Sequence, residues 1–268
     1  MSPLLGGSTP ECGSRSASVP QLSVVVPVHD EQDNIAPLIE EIHAALVGVI
    51  DFEVLLVDDA SGDETPRRLQ QAQGAFPGLR VLRHQRNCGQ SAAVATGVRR
   101  SRASLVVTLD GDGQNDPADI PVLLQRWFAQ TQAGPTTAPL LLAGWRQHRR
   151  DHGLKRLSSR LANGFRATLL ADGTPDTGCG LKMFERELFL RLPHFDHMHR
   201  FLPALVLREG GRVISVPVRH RPRLRGRSHY GVWNRLWVGL VDVLGVMWLR
   251  RRIRLSPVEE SLPPTSGD

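Results

Sequence analysis

Residues 105–117 read LVVTLDGDGQNDP, from Leu105 through Asp110, Gly111, Asp112, Gly113 and Gln114 to Pro117. The first five are apolar or β-branched, a run of the length and type that a buried strand uses. After them comes a turn with oxygen-bearing side chains at alternate positions. Two earlier stretches share this form. Leu22–Val28 (LSVVVPV) runs into His29, Asp30 and Glu31, and Phe52–Val57 (FEVLLV) runs into Asp58 and Asp59. Between them the apolar spacing predicts helices over Ile35–Val47, Thr65–Ala75 and Ser91–Arg99, with a short strand over Leu79–Arg83. Strands alternating with helices predict an α/β fold, a mostly parallel sheet with helices on both faces and right-handed crossovers. Ligands of such sheets sit beyond the carboxyl ends of the strands, where these three acidic turns converge.

Farther along, Leu140–Ala143, Leu181–Phe184 and Val213–Val218 read as strands and Leu154–Leu170 as a helix. A length of 268 residues, 41% of them hydrophobic, suits one sizeable domain and would be cramped for two. The expected organisation is a disordered leader over 1–20, rich in Gly, Ser and Pro, one α/β domain over 21–230, an amphipathic membrane-proximal helix over 231–254, and a disordered tail over 255–268. Three widely spaced cysteines, Cys12, Cys88 and Cys179, form neither a disulfide framework nor a zinc pattern and fit a reducing cytoplasm.

Of the 33 basic residues only Lys155 and Lys182 are lysine, so the formal charge of +6 is carried almost wholly by guanidinium, a group matched to phosphate. Nucleic acid, an anionic membrane or a phosphorylated substrate would all answer that charge. The run from Arg219 to Arg227 lacks interleaved aromatic residues, and an acidic rim repels a phosphate backbone, which disfavours nucleic acid. No G-x-x-x-x-G-K-[ST] or strand-borne G-x-G-x-x-G is present, which removes support for nucleotide hydrolysis and dinucleotide redox chemistry.

Asp110, Asp112 and Gln114 at alternate positions suit Mg²⁺ or Mn²⁺, hard ions that bind through one or two carboxylates plus substrate phosphates. Asp and Gly are also turn formers, the commoner meaning of a single such loop; three acidic loops on one rim favour the ligand reading.

PVHDEQDN (27–34), VDDASGDET (57–65) and LDGDGQNDP (109–117), in that order and spacing, resemble family 2 glycosyltransferases of the GT-A fold. The likeness is strongest to the dolichyl-phosphate mannosyltransferase branch and its bacterial polyprenyl-phosphate counterparts, and it runs from about Leu22 to about Tyr230. It implies inverting transfer of a sugar from a GDP- or UDP-linked donor to a polyprenyl phosphate. Pro27, His29 and Glu31 then line the nucleotide pocket and Asp59 reads the base. Asp110, Asp112 and Gln114, with Gly111 between them, hold the metal on the donor diphosphate. His29 and Asp30 stand where the family usually has tyrosine and asparagine. Arg146, Lys155 and Ser159 resemble the acceptor-phosphate cradle. Arg223, with Arg225 beside it, matches the Arg-x-x-Gly-x-Ser-Lys loop near the diphosphate, and His229 takes the place of its lysine. Asp176 falls on the segment over the acceptor, as a base or as an orienting carboxylate, and Arg200 is assigned to the donor phosphates. Asp112, Asp176 and Arg223 are the residues assigned to catalysis. A non-lipid acceptor, or a non-catalytic nucleotide-sugar-binding subunit, are the alternatives.

His194, His197 and His199 (HFDHMH with Asp196) lack the spacing of an established zinc motif and read as a loop over the acceptor. Trp127 reads as core. Val232–Leu249 is short for a spanning helix and carries Arg235 and Asp242; with Trp233, Trp237 and Trp248 and the arginines after it, it fits a helix lying on the cytoplasmic face of a membrane. A core helix, or one covered by a transmembrane partner subunit, are its competitors.

Overall fold

The computed structural model describes residues 19–76, 78–132, 138–146, 173–222 and 232–252, with backbone only for 232–238 and 240. Seven described strands form one sheet in the order β3-β2-β1-β4-β6-β5-β7. They are β1 (Leu22–Val28), β2 (Phe52–Asp58), β3 (Leu79–Arg83), β4 (Leu105–Thr108), β5 (Leu140–Arg146), β6 (Lys182–Glu185) and β7 (Arg212–Val218). All neighbours pair parallel except β6, which runs antiparallel to both β4 and β5. The expected α/β architecture is therefore the one observed.

Side-chain alternation along the strands divides the core. Val24, Val26 and Val28 of β1 face α1 (Ile35–Leu46), α2 (Thr65–Ala75) and α4 (Ile120–Gln132), whose Ile39, Leu69 and Trp127 complete one buried cluster. Val25 points the other way, into a cluster with α3 (Gln90–Arg100), α5 (Arg186–Arg191), α6 (Leu202–Arg208) and α7 (Val232–Arg251). Trp127 is core, as expected.

The order reverses between β1 and β4: β2 and β3 build outward on one side and β4 opens the other. The carboxyl ends of β1 and β4 thus diverge into a crevice, the place where such sheets bind ligands. Gly111 lets the β4 turn close against β1, since a Cβ there would lie 2.7 Å from the Pro27 carbonyl oxygen and 2.7 Å from Val28 Cγ1.

Helix α7 packs on the domain by one face, burying Val243 and Val246, and presents Val241, Leu244 and Trp248 on the other. Among the described residues no helix is long and apolar enough to cross a membrane.

Candidate active site

The loops after β1 and β2 are laced together. Asp30 N–H donates to Ser61 Oγ (3.0 Å), Gly62 N–H to Asp30 Oδ1 (2.8 Å), Glu31 N–H to Thr65 Oγ1 (2.9 Å) and Glu64 N–H to Gln32 Oε1 (3.0 Å). Asp30 and Ala60 both adopt left-handed backbone, at φ 54° and 58°. The Glu31 carboxylate accepts from Asn34 Nδ2 at 2.6 Å, and the His29 ring meets Asn87 at 3.1 Å. Pro27 is buried at the crevice floor, while His29 and Glu31 are half-buried on its rim.

Asp59 is buried and organises the loop that leads into α3. Its Oδ1 is 2.7 Å from His84 Nδ1 and accepts Cys88 N–H at 2.9 Å, while Oδ2 accepts Gly89 N–H at 2.7 Å. His84 Nε2 contacts Thr96 Oγ1 at 2.9 Å, which fixes the ring from both sides. Asp59, His84 and Cys88 bring ligand atoms within 4.8 Å of one another, yet both ring nitrogens of His84 are already engaged.

Asp110 and Asp112 stand at the mouth of the β4 end. Asp110 Oδ1 accepts from Gln90 Nε2 at 2.8 Å, and Asp112 Oδ1 accepts Gln114 N–H at 3.1 Å. Burial, and then the charge of Asp112, push the Asp110 carboxyl up to about 6 against the opposing pull of Lys182 and Arg146. Two carboxylates forced together at this cost are a fitting donor set for a hard divalent ion, which would relieve their repulsion. Gly180 is what allows the packing, because a methyl group at that position would overlap the Asp110 carboxylate.

Arg146, at the end of β5, donates from Nε to Asp176 Oδ2 (2.6 Å) and from Nη2 to Oδ1 (2.8 Å), with both side chains almost wholly buried. Asp176 therefore commits both oxygens to a guanidinium, the arrangement of an orienting carboxylate.

The turn at Met198–Arg200 closes the far wall. The three histidines of residues 194–199 do not converge: His194 Nδ1 meets Met198 Sδ, His197 Nδ1 meets Asp242 Oδ2 of α7 at 3.0 Å, and His199 Nδ1 meets Ser91 Oγ at 2.7 Å. Burial, with Lys182 and Arg200 nearby, holds His199 neutral well below the usual histidine range. Arg200 is exposed on this turn.

Of the five alternating arginines, Arg219 and Arg221 are braces. Arg219 Nε bonds Asp119 at 3.0 Å, and Arg221 reaches Asp116 and Glu41, each at 2.7 Å. Arg221 N–H also donates to the Gln114 carbonyl at 3.0 Å, so the exit of β7 is stitched to the Asp110–Gln114 loop. Lys155, Ser159, Arg223, Arg225 and His229, with the helix expected over Leu154–Leu170, lie outside the described residues.

Two residues of the site, Gln90 and Lys182, escaped the sequence reading, and His199 was read only as part of a loop over the acceptor. Gln90, Lys182 and His199 border a cleft with Asp110 and Gly180. The legible signal was Lys182, one of two lysines in the chain, standing inside a strand read as buried.

A switch-point crevice in an α/β sheet, with paired carboxylates at its mouth and buried cations beside them, defines an enzyme that handles a charged, phosphate-bearing substrate. Residues 23–192 match the sequence profile of Glycosyl transferase family 2, and the chain belongs to that family. It is a glycosyltransferase of GT-A fold. It is 34% identical over 238 residues to the dodecaprenyl-phosphate galacturonate synthase of Rhizobium johnstonii, covering 86% of this chain and 68% of that one. To the undecaprenyl-phosphate 4-deoxy-4-formamido-L-arabinose transferase of Edwardsiella ictaluri it is 34% identical over 214 residues, 79% of this chain and 63% of the relative. Among solved structures, glucosyl-3-phosphoglycerate synthase from Mycobacterium tuberculosis in complex with Mn²⁺, UDP and phosphoglyceric acid aligns with a TM-score of 0.62 at 19% identity, covering 88% of this chain and 80% of that one. The complex of the same enzyme with Mg²⁺ and UDP aligns equally well, at 18% identity over 88% and 81% of the two chains. At that identity the likeness speaks for the fold.

Proposed function

We propose that the protein transfers a sugar, with inversion, from a nucleoside-diphosphate sugar to a polyprenyl phosphate at a membrane surface. The observation that carries this reading is the meeting, on one rim of the sheet, of the Asp110–Asp112 acid pair after β4 with buried Arg146 at the end of β5 and buried Lys182 at the start of β6, which suits a metal-bound diphosphate and an incoming phosphate together. The two bacterial relatives are named for loading sugars onto polyprenyl phosphates, and the solved neighbours hold UDP with Mn²⁺ or Mg²⁺.

Asp110, Asp112 and Gln114 are the residues that would hold Mg²⁺ or Mn²⁺. Bound there, the ion supplies charge neutralisation for the departing nucleoside diphosphate. Pro27, His29, Glu31 and Asp59 form the nucleotide side, and Arg200, Arg223 and Arg225 are assigned to the donor phosphates. Arg146, oriented by Asp176, receives the acceptor phosphate, with Lys155, Ser159 and His229 assigned to the same group. A phosphate monoester with a second pKa of about 6 is mostly dianionic at neutral pH. It can therefore attack the anomeric carbon without a protein base, which agrees with an Asp176 committed to Arg146. The carbon–oxygen bond to the nucleoside diphosphate breaks as the new bond to the lipid phosphate forms on the opposite face.

The outward stripe of α7, Val241, Leu244 and Trp248, is followed by Arg250, Arg251 and Arg252, and the Arg252 guanidinium lies 5.8 Å from the Trp248 ring. An apolar stripe with an aromatic anchor and trailing cations suits an anionic leaflet on the cytoplasmic side, where a polyprenyl phosphate presents its headgroup.

The test incubates purified protein and Mn²⁺ with radiolabelled nucleotide-sugars and undecaprenyl phosphate and counts label entering the organic phase. Metal-dependent label, lost with EDTA and in a folded Asp112→Ala variant, is the expected result. Nucleotide-sugar binding with no lipid label from any donor would refute the lipid acceptor, and label retained by Asp112→Ala would refute the metal role.

A further inference from the structure

Asp59, His84 and Cys88 have the composition of a metal site that no motif of the sequence marks. Asp59 follows β2, His84 follows β3, and Cys88 lies in the loop that leads into α3. One ligand atom from each, a carboxylate oxygen, a ring nitrogen and the thiol sulfur, lies within 4.8 Å of the other two. Spacing along the chain hides the group, because Asp59 precedes His84 by 25 positions. Asp59 is buried and the Cys88 thiol is free and exposed, so an ion can enter from the cysteine side.

The surroundings of these atoms suit an ion. The His84 backbone N–H donates to the Asp58 carbonyl at 2.9 Å, which anchors the residue at the strand end. Its Nδ1 is engaged at 2.7 Å by Asp59 Oδ1, a fellow ligand, and Nε2 meets Thr96 Oγ1 at 2.9 Å. A cation entering between Nδ1 and Oδ1 replaces the proton they share. The ring then carries its proton on Nε2, where the Thr96 hydroxyl accepts it, the outer support that a metal-bound imidazole almost always has. Asp59 is supported in the same way, since Oδ2 accepts the Gly89 N–H at 2.7 Å and Oδ1 that of Cys88 at 2.9 Å.

Only small movements are needed. On a tetrahedral ion with bonds of about 2.0–2.1 Å, oxygen and nitrogen stand about 3.3 Å apart, so the pair must open by roughly 0.6 Å. A sulfur bonded at about 2.3 Å stands about 3.6 Å from the nitrogen, so the thiol must close by roughly 1 Å at most, within reach of a side-chain rotation. Sulfur, nitrogen and one carboxylate oxygen select Zn²⁺, whereas Asp110, Asp112 and Gln114 offer oxygen alone and select Mg²⁺ or Mn²⁺. A thiolate and a carboxylate also cancel the charge of the ion, which leaves no net charge beside the buried Asp59.

We propose that Asp59, His84 and Cys88 form a second metal site, selective for Zn²⁺, with its fourth position open to water. Occupation takes Asp59 away from the nucleotide, so zinc opposes donor binding. That consequence rests on the nucleotide role proposed for Asp59 above; the site itself does not.

The experiment titrates Zn²⁺ into the full chain by calorimetry in saturating Mg²⁺, which fills the oxygen site. Co²⁺ is titrated in parallel, because a thiolate on Co²⁺ gives a near-ultraviolet charge-transfer band that oxygen ligands do not. Wild type is compared with Cys88→Ser, His84→Gln and Thr96→Val, and the serine variant separates this thiol from those of Cys12 and Cys179. Wild type should bind one zinc and show the band. Outer partners of a ligand are worth about 10- to 100-fold in affinity, so Thr96→Val should lose about that much and the two ligand variants at least about 100-fold. No band in wild type, or equal zinc affinity in wild type and Cys88→Ser, overturns the site. Should His84→Gln not fold, Cys88→Ser decides alone. In the transfer assay with Mg²⁺, zinc at one equivalent should raise the donor KM of wild type and leave that of Cys88→Ser unmoved, and equal inhibition of both overturns the antagonism. A chain that transfers no sugar at any zinc level overturns the glycosyl-transfer reading instead, and the cobalt band still decides the site.

Discussion

Replacing Asp110 by asparagine should strengthen the metal-free protein while destroying its affinity for metal. The fold raises the Asp110 carboxyl from 3.8 to about 6. The folded chain therefore holds this proton more tightly than the unfolded chain does. The contribution to stability is most favourable below pH 3.8, is lost as pH rises toward 6, and is fully absent above it. At about 1.4 kcal/mol for each tenfold change in proton affinity, the loss is about 3 kcal/mol, and nearer 2 once water at the cleft mouth screens the charge. Asparagine carries no charge to desolvate and keeps an oxygen for Gln90. In EDTA at pH 7.5 Asp110→Asn should melt roughly 4–10 °C above wild type, and the gap should close below pH 4. Metal binding runs the other way. An ion at Asp110 displaces the proton, so Mn²⁺ affinity should fall about tenfold per pH unit below 6 in wild type and be lost in the variant. Melting curves in EDTA and Mn²⁺ titrations followed by the free-ion resonance, at pH 5 and 7.5, read both effects. An Asp110→Asn protein less stable than wild type above pH 6, or Mn²⁺ affinity equal at the two pH values, would refute the assignment of Asp110 as a strained, ion-seeking carboxylate.

Asp176→Asn leaves the buried Arg146 charge without its counter-ion and should cost about 3–5 kcal/mol in urea unfolding; a second change, Arg146→Met, should restore part of it, and wild-type stability in the single variant would contradict the pairing. Gly180→Ala pushes a methyl group into the Asp110 carboxylate, so Mn²⁺ affinity should drop at least about tenfold by shifting a ligand that must sit within tenths of an ångström, and unchanged affinity would show that the strand yields. Ala60→Gly relieves a left-handed alanine and should add about 0.5–1 kcal/mol, seen as a raised melting temperature. Leu244→Ala combined with Trp248→Ala should weaken binding to phosphatidylglycerol vesicles at least about tenfold in sedimentation, given roughly 1.5–3 kcal/mol for each large apolar side chain fully removed from water; unaltered binding would place the lipid contact elsewhere.

The first half of the chain was legible because its physics is local. Leu22–Val28, Thr65–Ala75 and Leu79–Arg83 have the expected bounds, since β-branched runs, a proline in the first helical turn and short apolar segments each specify one conformation. The acidic turns followed from their places at strand ends. The sense of β6 did not follow, because Lys182–Glu185 reads the same in either direction and only its pairing with Thr108–Leu105 makes it antiparallel. Lys182 was hidden for a related reason: its significance comes from Gln90 and Asp110, about 70 to 90 residues distant in sequence, and periodicity carries no information about such meetings. Asp59 shows a third limit. Its motif marks it as important, while its engagement of His84, Cys88 and Gly89 depends on how the following loop returns.

The turn at Met198–Arg200 hangs between two supports, Ser91 on one side and, through His197, Asp242 of α7 on the other. His197 itself sits in left-handed backbone at φ 61°. The C-terminal helix is consequently no interchangeable tether. Grafting the helix of a relative onto this domain would alter a wall of the cleft unless residues 196–200 travelled with it. The two segments, some forty positions apart, are expected to be inherited as one unit, and a library that shuffles them independently should yield folded chains that vary chiefly in how they hold the donor.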